Sequence, residues 1–188
     1  DEKVSNVLRL IFRTSMDPNK PFGSLGSPEH GQAGRKIGEE GIVLLQNNNN
    51  VLPIDLNKAK KIAVIGENAI KMMTVGGGSS SLKVKYEVSP LDGLKNRVGS
   101  QAEVVYARGY VGDPTGEYNG VKTGQNLKDD RSEDELLAEA LQVAKDADYV
   151  IFFGGLNKSS HQDCEDSDRV SLGLPYAQDR VISELAKV

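Results

Sequence analysis

Three short apolar runs, separated by segments with helical periodicity, constrain the fold of this chain more than any other feature. They cover residues 61–65, 103–106 and 149–153, and each is rich in β-branched or aromatic side chains. Such runs are typical of strands buried inside a parallel sheet. Strands that alternate with helices form βαβ units. We therefore predict an α/β fold: a three-layer α/β/α sandwich with a mostly parallel sheet. Since sheets average about five to six strands, we also expect this one to be truncated.

Between and around these runs, apolar residues recur at helical spacing. Ser132 and Glu135 have the spacing of a capping box at the start of one such segment. The polar, Gly-rich segment 108–131 has no period and is predicted to be a loop, and loops of this length are typically functional or mobile. Helices are predicted over residues 2–14, 28–45, 90–98, 132–144 and 174–188.

Composition excludes several classes of partner and site. The net charge of −4 gives no electrostatic argument for binding to nucleic acid or to an anionic membrane. The single cysteine, Cys164, excludes an internal disulfide and a multi-cysteine metal site. No apolar run approaches the roughly 20 residues that span a bilayer. We expect neither nucleic acid nor membrane as a partner, and no cofactor.

In an open parallel sheet, ligands bind beyond the carboxyl ends of the strands. The first loop to consider there is 66–85, which contains three glycines followed by three serines at 76–81. It lacks the glycine spacing of dinucleotide-binding and P-loop motifs, which argues against a nucleotide site. Two interpretations remain open: a mobile turn, or a loop that brings backbone and hydroxyl groups close to a polar ligand.

The second loop, 154–173, is acidic. Its acids do not match a calcium-binding EF-hand, because Asp168 and Leu174 stand where Gly and Glu are required. His161 and Cys164 are too few for a zinc site, so no metal is expected. An acidic loop is commonly a solvated surface. A carboxylic acid in such a loop can also protonate the leaving oxygen in glycoside hydrolysis.

Four blocks of this sequence, 34–53, 61–69, 75–93 and 165–175, resemble motifs of glycoside hydrolase family 3 in the same order. The last block resembles the E-G-x-D-R motif of that family. Two positions depart from the family pattern: Glu67 stands where Pro is usual, and Asp166 where Gly is usual.

The resemblance implies a retaining, exo-acting β-glycosidase of the β-glucosidase type. It implies that Glu165 is the general acid/base, and that Asp168 and Arg169 support its loop through a charge-assisted pair. It also implies a pocket for the terminal sugar of an oligosaccharide or β-glycoside substrate. The residues implied to border that pocket are Ser79, Ser80 and Tyr86.

The resemblance also implies a domain organisation. Residues 1–16 would be the tail helix of a preceding barrel domain, 17–29 an interdomain linker, and 30–188 the α/β domain, incomplete at its C-terminal end. The nucleophilic Asp would lie on that barrel, which is a partner within the same polypeptide. The 188-residue chain alone is therefore expected to be inactive. Relatives of this kind are often exported, which implies a periplasmic or secreted location.

Two other functions remain alternatives. The first is a non-catalytic carbohydrate-binding or scaffold domain descended from such an enzyme. The second is a nucleotide-binding α/β domain, against which the missing glycine motifs argue.

Overall fold

A computed structural model describes residues 1–74, 82, 84–112, 117–118, 121–122, 124–159, 162 and 168–188, with backbone alone at 117–118 and 121–122. The chain forms two compact units, Asp1–Gln46 and Asn47–Val188.

The first unit contains two helices, α1 (Glu2–Arg13) and α2 (Pro28–Gly41). Both were predicted, and Pro28 occupies the first turn of α2, where its missing N–H costs no hydrogen bond. The predicted extension of α2 to residue 45 is wrong, because Ile42 already has extended backbone angles. The β-branched pair Ile42 and Val43 follows a helical glycine, and both residue types lower helix propensity.

The second unit is built on a parallel sheet in the order β2-β1-β5. In the central strand, Ile62 aligns with Val104 on one side and with Tyr149 on the other. A two-stranded antiparallel hairpin, β3-β4, lies within the segment that was predicted to be a loop. The strands are β1 (Lys61–Ile65), β2 (Glu103–Ala107), β3 (Glu117–Tyr118), β4 (Val121–Lys122) and β5 (Tyr149–Phe152).

Helices cover both faces of the parallel sheet, and alternating residues of β1 contact opposite faces. The helices are α3 (Pro90–Val98), α4 (Glu133–Lys145) and α5 (Gln178–Leu185). On one face Val64 packs in a cluster with Leu91 of α3. On the other face Ile65 packs with Ala140 of α4 and Val181 of α5. This arrangement confirms the predicted three-layer α/β/α fold.

Local signals define the start of α4 but not that of α5. Ser132 Oγ accepts a hydrogen bond from the Glu135 N–H, and Glu135 Oε2 accepts one from the Ser132 N–H, which confirms the capping box. The predicted helix start at residue 174 is wrong. Tyr176 and Ala177 have φ angles of 59° and 55°, so a left-handed turn precedes α5.

Candidate active site

The carboxyl ends of the three parallel strands meet at one edge of the sheet. The N–H of Gly66, just after β1, donates to the carbonyl of Ala107, and the N–H of Phe153 donates to the carbonyl of Ile65. Gly66 has φ of 122°, and a Cβ there would lie 2.1 Å from the carbonyl oxygen of Phe153. Only glycine allows this approach, so Gly66 sets how closely the segments after β1 and β5 pack.

A group of buried charges connects the segments that follow β1 and β2. Arg108 donates from Nη2 to Oε2 of Glu67 at 2.7 Å, and the N–H of Gly112 donates to the same carboxylate oxygen. Lys71 Nζ lies 3.9 Å from Oε1 of Glu67. Glu67, the departure from the family pattern, is therefore a structural carboxylate that ties β1 to β2.

The same arginine also holds the segment before α4. Arg108 donates to the carbonyl of Leu127 and lies 3.4 Å from Asp129. Arg131 bonds Asp129 and Glu139, each at 2.7 Å. The hydrogen bonds from Arg131, and secondarily the charges of Arg131 and Arg108, hold the pKa of Asp129 well below its usual range. Asp129 therefore stays charged at neutral pH and completes the network.

Two tyrosines supply neutral hydroxyl groups at this edge. Burial raises the pKa of Tyr106 and of Tyr110, so both keep their phenolic protons. Tyr110 donates to the carbonyl of Phe153 at 3.1 Å and accepts from the N–H of Asn68 at 3.3 Å. Tyr110 thus bridges the segments after β1 and β5.

The two loops selected from the sequence are brought together. Asn68, in the first, donates from Nδ2 to the carbonyls of Gly155 and Leu156 at 3.3 and 3.4 Å. Lys158, in the second, donates from Nζ to the carbonyl of Met73 at 2.9 Å. These contacts connect the chain just before the Gly/Ser run to the chain just before the acidic run.

Two buried glutamines, which the sequence analysis missed, hold the segment after β5. Gln178 accepts from the N–H of Gly155 at 2.7 Å and donates to the carbonyl of that residue at 3.0 Å. Gln162 accepts from the N–H of Asn157 at 3.0 Å and donates to the Tyr176 hydroxyl at 2.5 Å. Glutamine is usually a surface residue, so the sequence contained no signal for these roles.

A third missed residue is Glu87, which fastens the chain before the Gly/Ser run. Its Oε1 accepts from the N–H of Met73 and its Oε2 from the hydroxyl of Thr74, both at 2.6 Å. Tyr86, predicted to border the sugar pocket, is its neighbour and is 65% exposed.

Three of the predicted site residues, Glu165, Ser79 and Ser80, lie outside the described residues. Asp168 and Arg169 are described, and both are exposed. Arg169 donates to the carbonyls of Ser171 and Leu172 at 2.5 and 2.7 Å, and no ion pair with Asp168 is formed. The guanidinium thus supports the chain that follows the motif, instead of pairing with the neighbouring acid as expected.

The described part of this edge does not enclose a sugar. A pocket of about 180 Å³ lies beside it, with Glu87, Asp92 and Gln125 in its wall. Ligand pockets are typically about 300–1,000 Å³. The carboxylate of Glu87 is already used by the backbone of this chain. This pocket is therefore smaller than a typical ligand site.

Two further properties concern the described residues only. None of the helices described is both long enough and apolar enough to cross a bilayer. Across the same part of the chain, no three His, Cys, Asp or Glu side chains are grouped so that they could hold a metal ion.

Comparison with known proteins identifies the family. Residues 42–188 match the glycosyl hydrolase family 3 C-terminal domain, so the chain belongs to glycoside hydrolase family 3. A β-glucosidase of Bacteroides ovatus is 44% identical over 194 residues, which cover 100% of this chain and 25% of the relative. A β-xylosidase of Formosa agariphila is 31% identical over 200 residues, with the same shares covered.

A solved structure agrees with this assignment. The family 3 β-glucosidase of Bifidobacterium adolescentis superposes with a TM-score of 0.70 and 28% identity, over 96% of this chain and 23% of that one. The chain spans about a quarter of the length of the relatives that it matches.

Proposed function

We propose that this chain is the acid/base-bearing part of a longer, retaining, exo-acting β-glycosidase of the β-glucosidase type. Its substrates would be oligosaccharides or glucosides with a terminal β-linked sugar. The observation that carries this proposal is the position of the motif Glu165–Arg169. The chain belongs to family 3, and in its sequence this motif comes soon after the segment that follows β5. Hydrogen bonds hold that segment beyond the carboxyl end of β5.

In the proposed reaction, Glu165 and a nucleophilic Asp of a barrel domain would lie about 5–5.5 Å apart. As the Asp attacks the anomeric carbon, the Glu165 carboxyl gives its proton to the glycosidic oxygen, and the C–O bond breaks to release an alcohol. The Glu165 carboxylate then takes a proton from water, whose oxygen displaces the Asp and releases the sugar. Both carboxyl groups are needed, so the chain alone would be inactive.

The described surface supports an active site shared with another domain. Tyr86 is exposed, and it precedes Glu87, which hydrogen-bonds the chain of the first loop at Met73 and Thr74. We propose that residues 1–16 are the tail helix of the preceding barrel domain and 17–29 the linker. In support, α1 exposes an apolar stripe, a feature that marks a surface for another protein element. The stripe comprises Val4, Val7, Leu8, Ile11 and Phe12.

We further propose that Ser79, Ser80 and Tyr86 border the bound sugar. Hydroxyl groups and an aromatic ring provide hydrogen bonds and an apolar surface of the kind that sugars require. The family resemblance alone supports a periplasmic or secreted location, which fractionation of the source cells tests.

The proposal is tested in the full-length protein with aryl β-glucosides and β-xylosides of different leaving-group pKa. Glu165→Ala should lose activity on poor leaving groups, by about 10²–10⁴-fold for lost acid catalysis. It should keep more activity on dinitrophenyl substrates, where added azide should restore turnover. The matched control is Glu139→Ala, which removes an exposed glutamate of α4, and it should behave as wild type.

Two results would contradict the proposal. If Glu165→Ala matches Glu139→Ala on every substrate, Glu165 is a surface acid. If the wild-type protein cleaves no glycoside but binds oligosaccharides, the non-catalytic alternative replaces it. The 188-residue chain alone should show no turnover above that of its own Glu165→Gln variant.

A further inference from the structure

Gln178 joins the first turn of α5 to the segment after β5 through two hydrogen bonds with a single residue. Its Oε1 accepts from the Gly155 N–H at 2.7 Å, and its Nε2 donates to the Gly155 carbonyl at 3.0 Å. The Gln178 side chain is fully buried. When both the oxygen and the nitrogen of a buried amide side chain hydrogen-bond to one residue, they fix the orientation of that residue as well as its distance from the amide.

Gln162 makes the matching connection at the other end of the same segment. It accepts from the Asn157 N–H and donates to the hydroxyl of Tyr176, which belongs to the left-handed turn before α5. Asn157 accepts in turn from the Ser159 N–H at 3.1 Å. We call Gln162 and Gln178, with their partners Gly155, Asn157 and Tyr176, the glutamine clamp.

Within the glutamine clamp, Gln162 lies three residues before Glu165 in the sequence, and Tyr176 and Gln178 follow Glu165. On the far side of the motif, Arg169 holds the carbonyls of residues 171 and 172. Residues with defined hydrogen bonds, Gln162 before the motif and Arg169 at its end, therefore flank Glu165 in the sequence. Side chains of the clamp contact backbone groups and one hydroxyl, so they act on chain position.

We propose that Gln162 and Gln178 are positioning residues that set the place from which the Glu165 carboxyl delivers its proton. The inference rests on the proposed role of Glu165. A general acid must lie about 2.6–3.2 Å from the oxygen that it protonates. A displacement of about 1 Å, even from a change far from the reacting atoms, can cost roughly 100-fold in rate. Loosening the clamp should therefore weaken acid catalysis selectively.

The test uses the full-length protein with Gln178→Met, which keeps the length of the side chain and removes both hydrogen bonds. The matched control is Gln142→Met on α4, where an exposed glutamine donates only to Asp146 among the described residues. Gln178→Met should lower kcat/KM for a phenyl glycoside by about 100-fold and change that for a dinitrophenyl glycoside little. Gln142→Met should resemble wild type.

The outcomes separate this inference from the proposed function when Glu165→Ala is measured in parallel. An equal loss on both substrates in Gln178→Met, with a selective loss in Glu165→Ala, would overturn the positioning role alone. No selective loss in Glu165→Ala would remove the proposed function and this inference with it. If Gln178→Met does not fold, Gln162→Met decides by the same criterion, since it leaves the Gln178–Gly155 bonds in place.

Discussion

Glu67 and Arg108 form a salt bridge of 2.7 Å in which none of the Glu67 side chain and 8% of the Arg108 side chain is exposed. The pair joins the chain just after β1 to the chain just after β2. Glu67 and Arg108 lie 41 residues apart in sequence. A buried ion pair adds little net stability over apolar packing, yet removing one partner takes the nearest counter-charge from the other. The two residues therefore depend on each other.

Glu67→Gln tests this dependence. It keeps the shape of the side chain and removes its charge, so Arg108 loses its closest carboxylate. Because Asp129 stays 3.4 Å from Arg108, we expect the free energy of unfolding, measured by urea denaturation, to fall by about 3 kcal/mol. The control Glu139→Gln breaks an exposed pair with Arg131 and should cost less than about 1 kcal/mol. Equal effects of the two substitutions would contradict a special role for the buried pair.

Gly66→Ala tests the close approach of β1 and β5. The added Cβ would lie 2.1 Å from a backbone oxygen, and φ of 122° is unfavourable for alanine. We expect a loss of about 3 kcal/mol in the free energy of unfolding. The control Gly93→Ala, within α3, places a Cβ 3.8 Å from Val88 and should be neutral or stabilise by up to about 1 kcal/mol. A Gly66→Ala protein as stable as wild type would show that the segments after β1 and β5 can move apart without a cost in stability.

Asp148→Asn tests a pH-dependent contact at the opposite end of the sheet. Asp148 Oδ2 accepts from the N–H groups of Lys60 and Lys61 at 2.8 and 2.9 Å, and these bonds lower its pKa. A lowered folded-state pKa stabilises the protein above the unfolded pKa of about 3.9, and this stabilisation is lost as pH falls through the folded pKa. At pH 7 the variant should have a lower Tm than wild type.

Measured by calorimetry, the difference in Tm between wild type and Asp148→Asn should persist down to about pH 5 and shrink below about pH 4. The control Asp146→Asn removes an exposed acid two residues away, which accepts from Gln142, and should change the Tm at pH 7 little. A difference that grows on acidification would have the wrong sign and would reject this explanation.

Ser132→Ala tests the capping box of α4. It removes the hydroxyl that accepts from the Glu135 N–H, so a donor in the first turn loses its partner. The free energy of unfolding should fall by about 1 kcal/mol. Ser183→Ala is the control: its hydroxyl donates to the Asp179 carbonyl on the exposed side of α5, and its loss should cost less than about 0.5 kcal/mol. Equal costs would argue that the cap contributes nothing specific.

Features encoded by neighbouring residues were predicted from the sequence. The apolar runs became β1, β2 and β5, and Ser132 began α4, because strand burial and helix capping depend on residues a few positions apart. The start of α5 was placed four residues too early. The left-handed turn at Tyr176 and Ala177 is accompanied by the contact of Tyr176 with Gln162, 14 residues away, which no local pattern reports.

The order of the motifs indicated the family, and the last motif predicted Glu165 as the general acid/base. Each motif depends only on residues that are close together in the sequence. The partners of Glu67 and Gln178 depended on the folded structure. Arg108 lies 41 residues from Glu67, and Gly155 lies 23 residues from Gln178. A glutamate or glutamine has the same local appearance on a surface as in a buried network. Only when β1, β2 and β5 align in parallel do their carboxyl ends bring these groups within hydrogen-bonding distance.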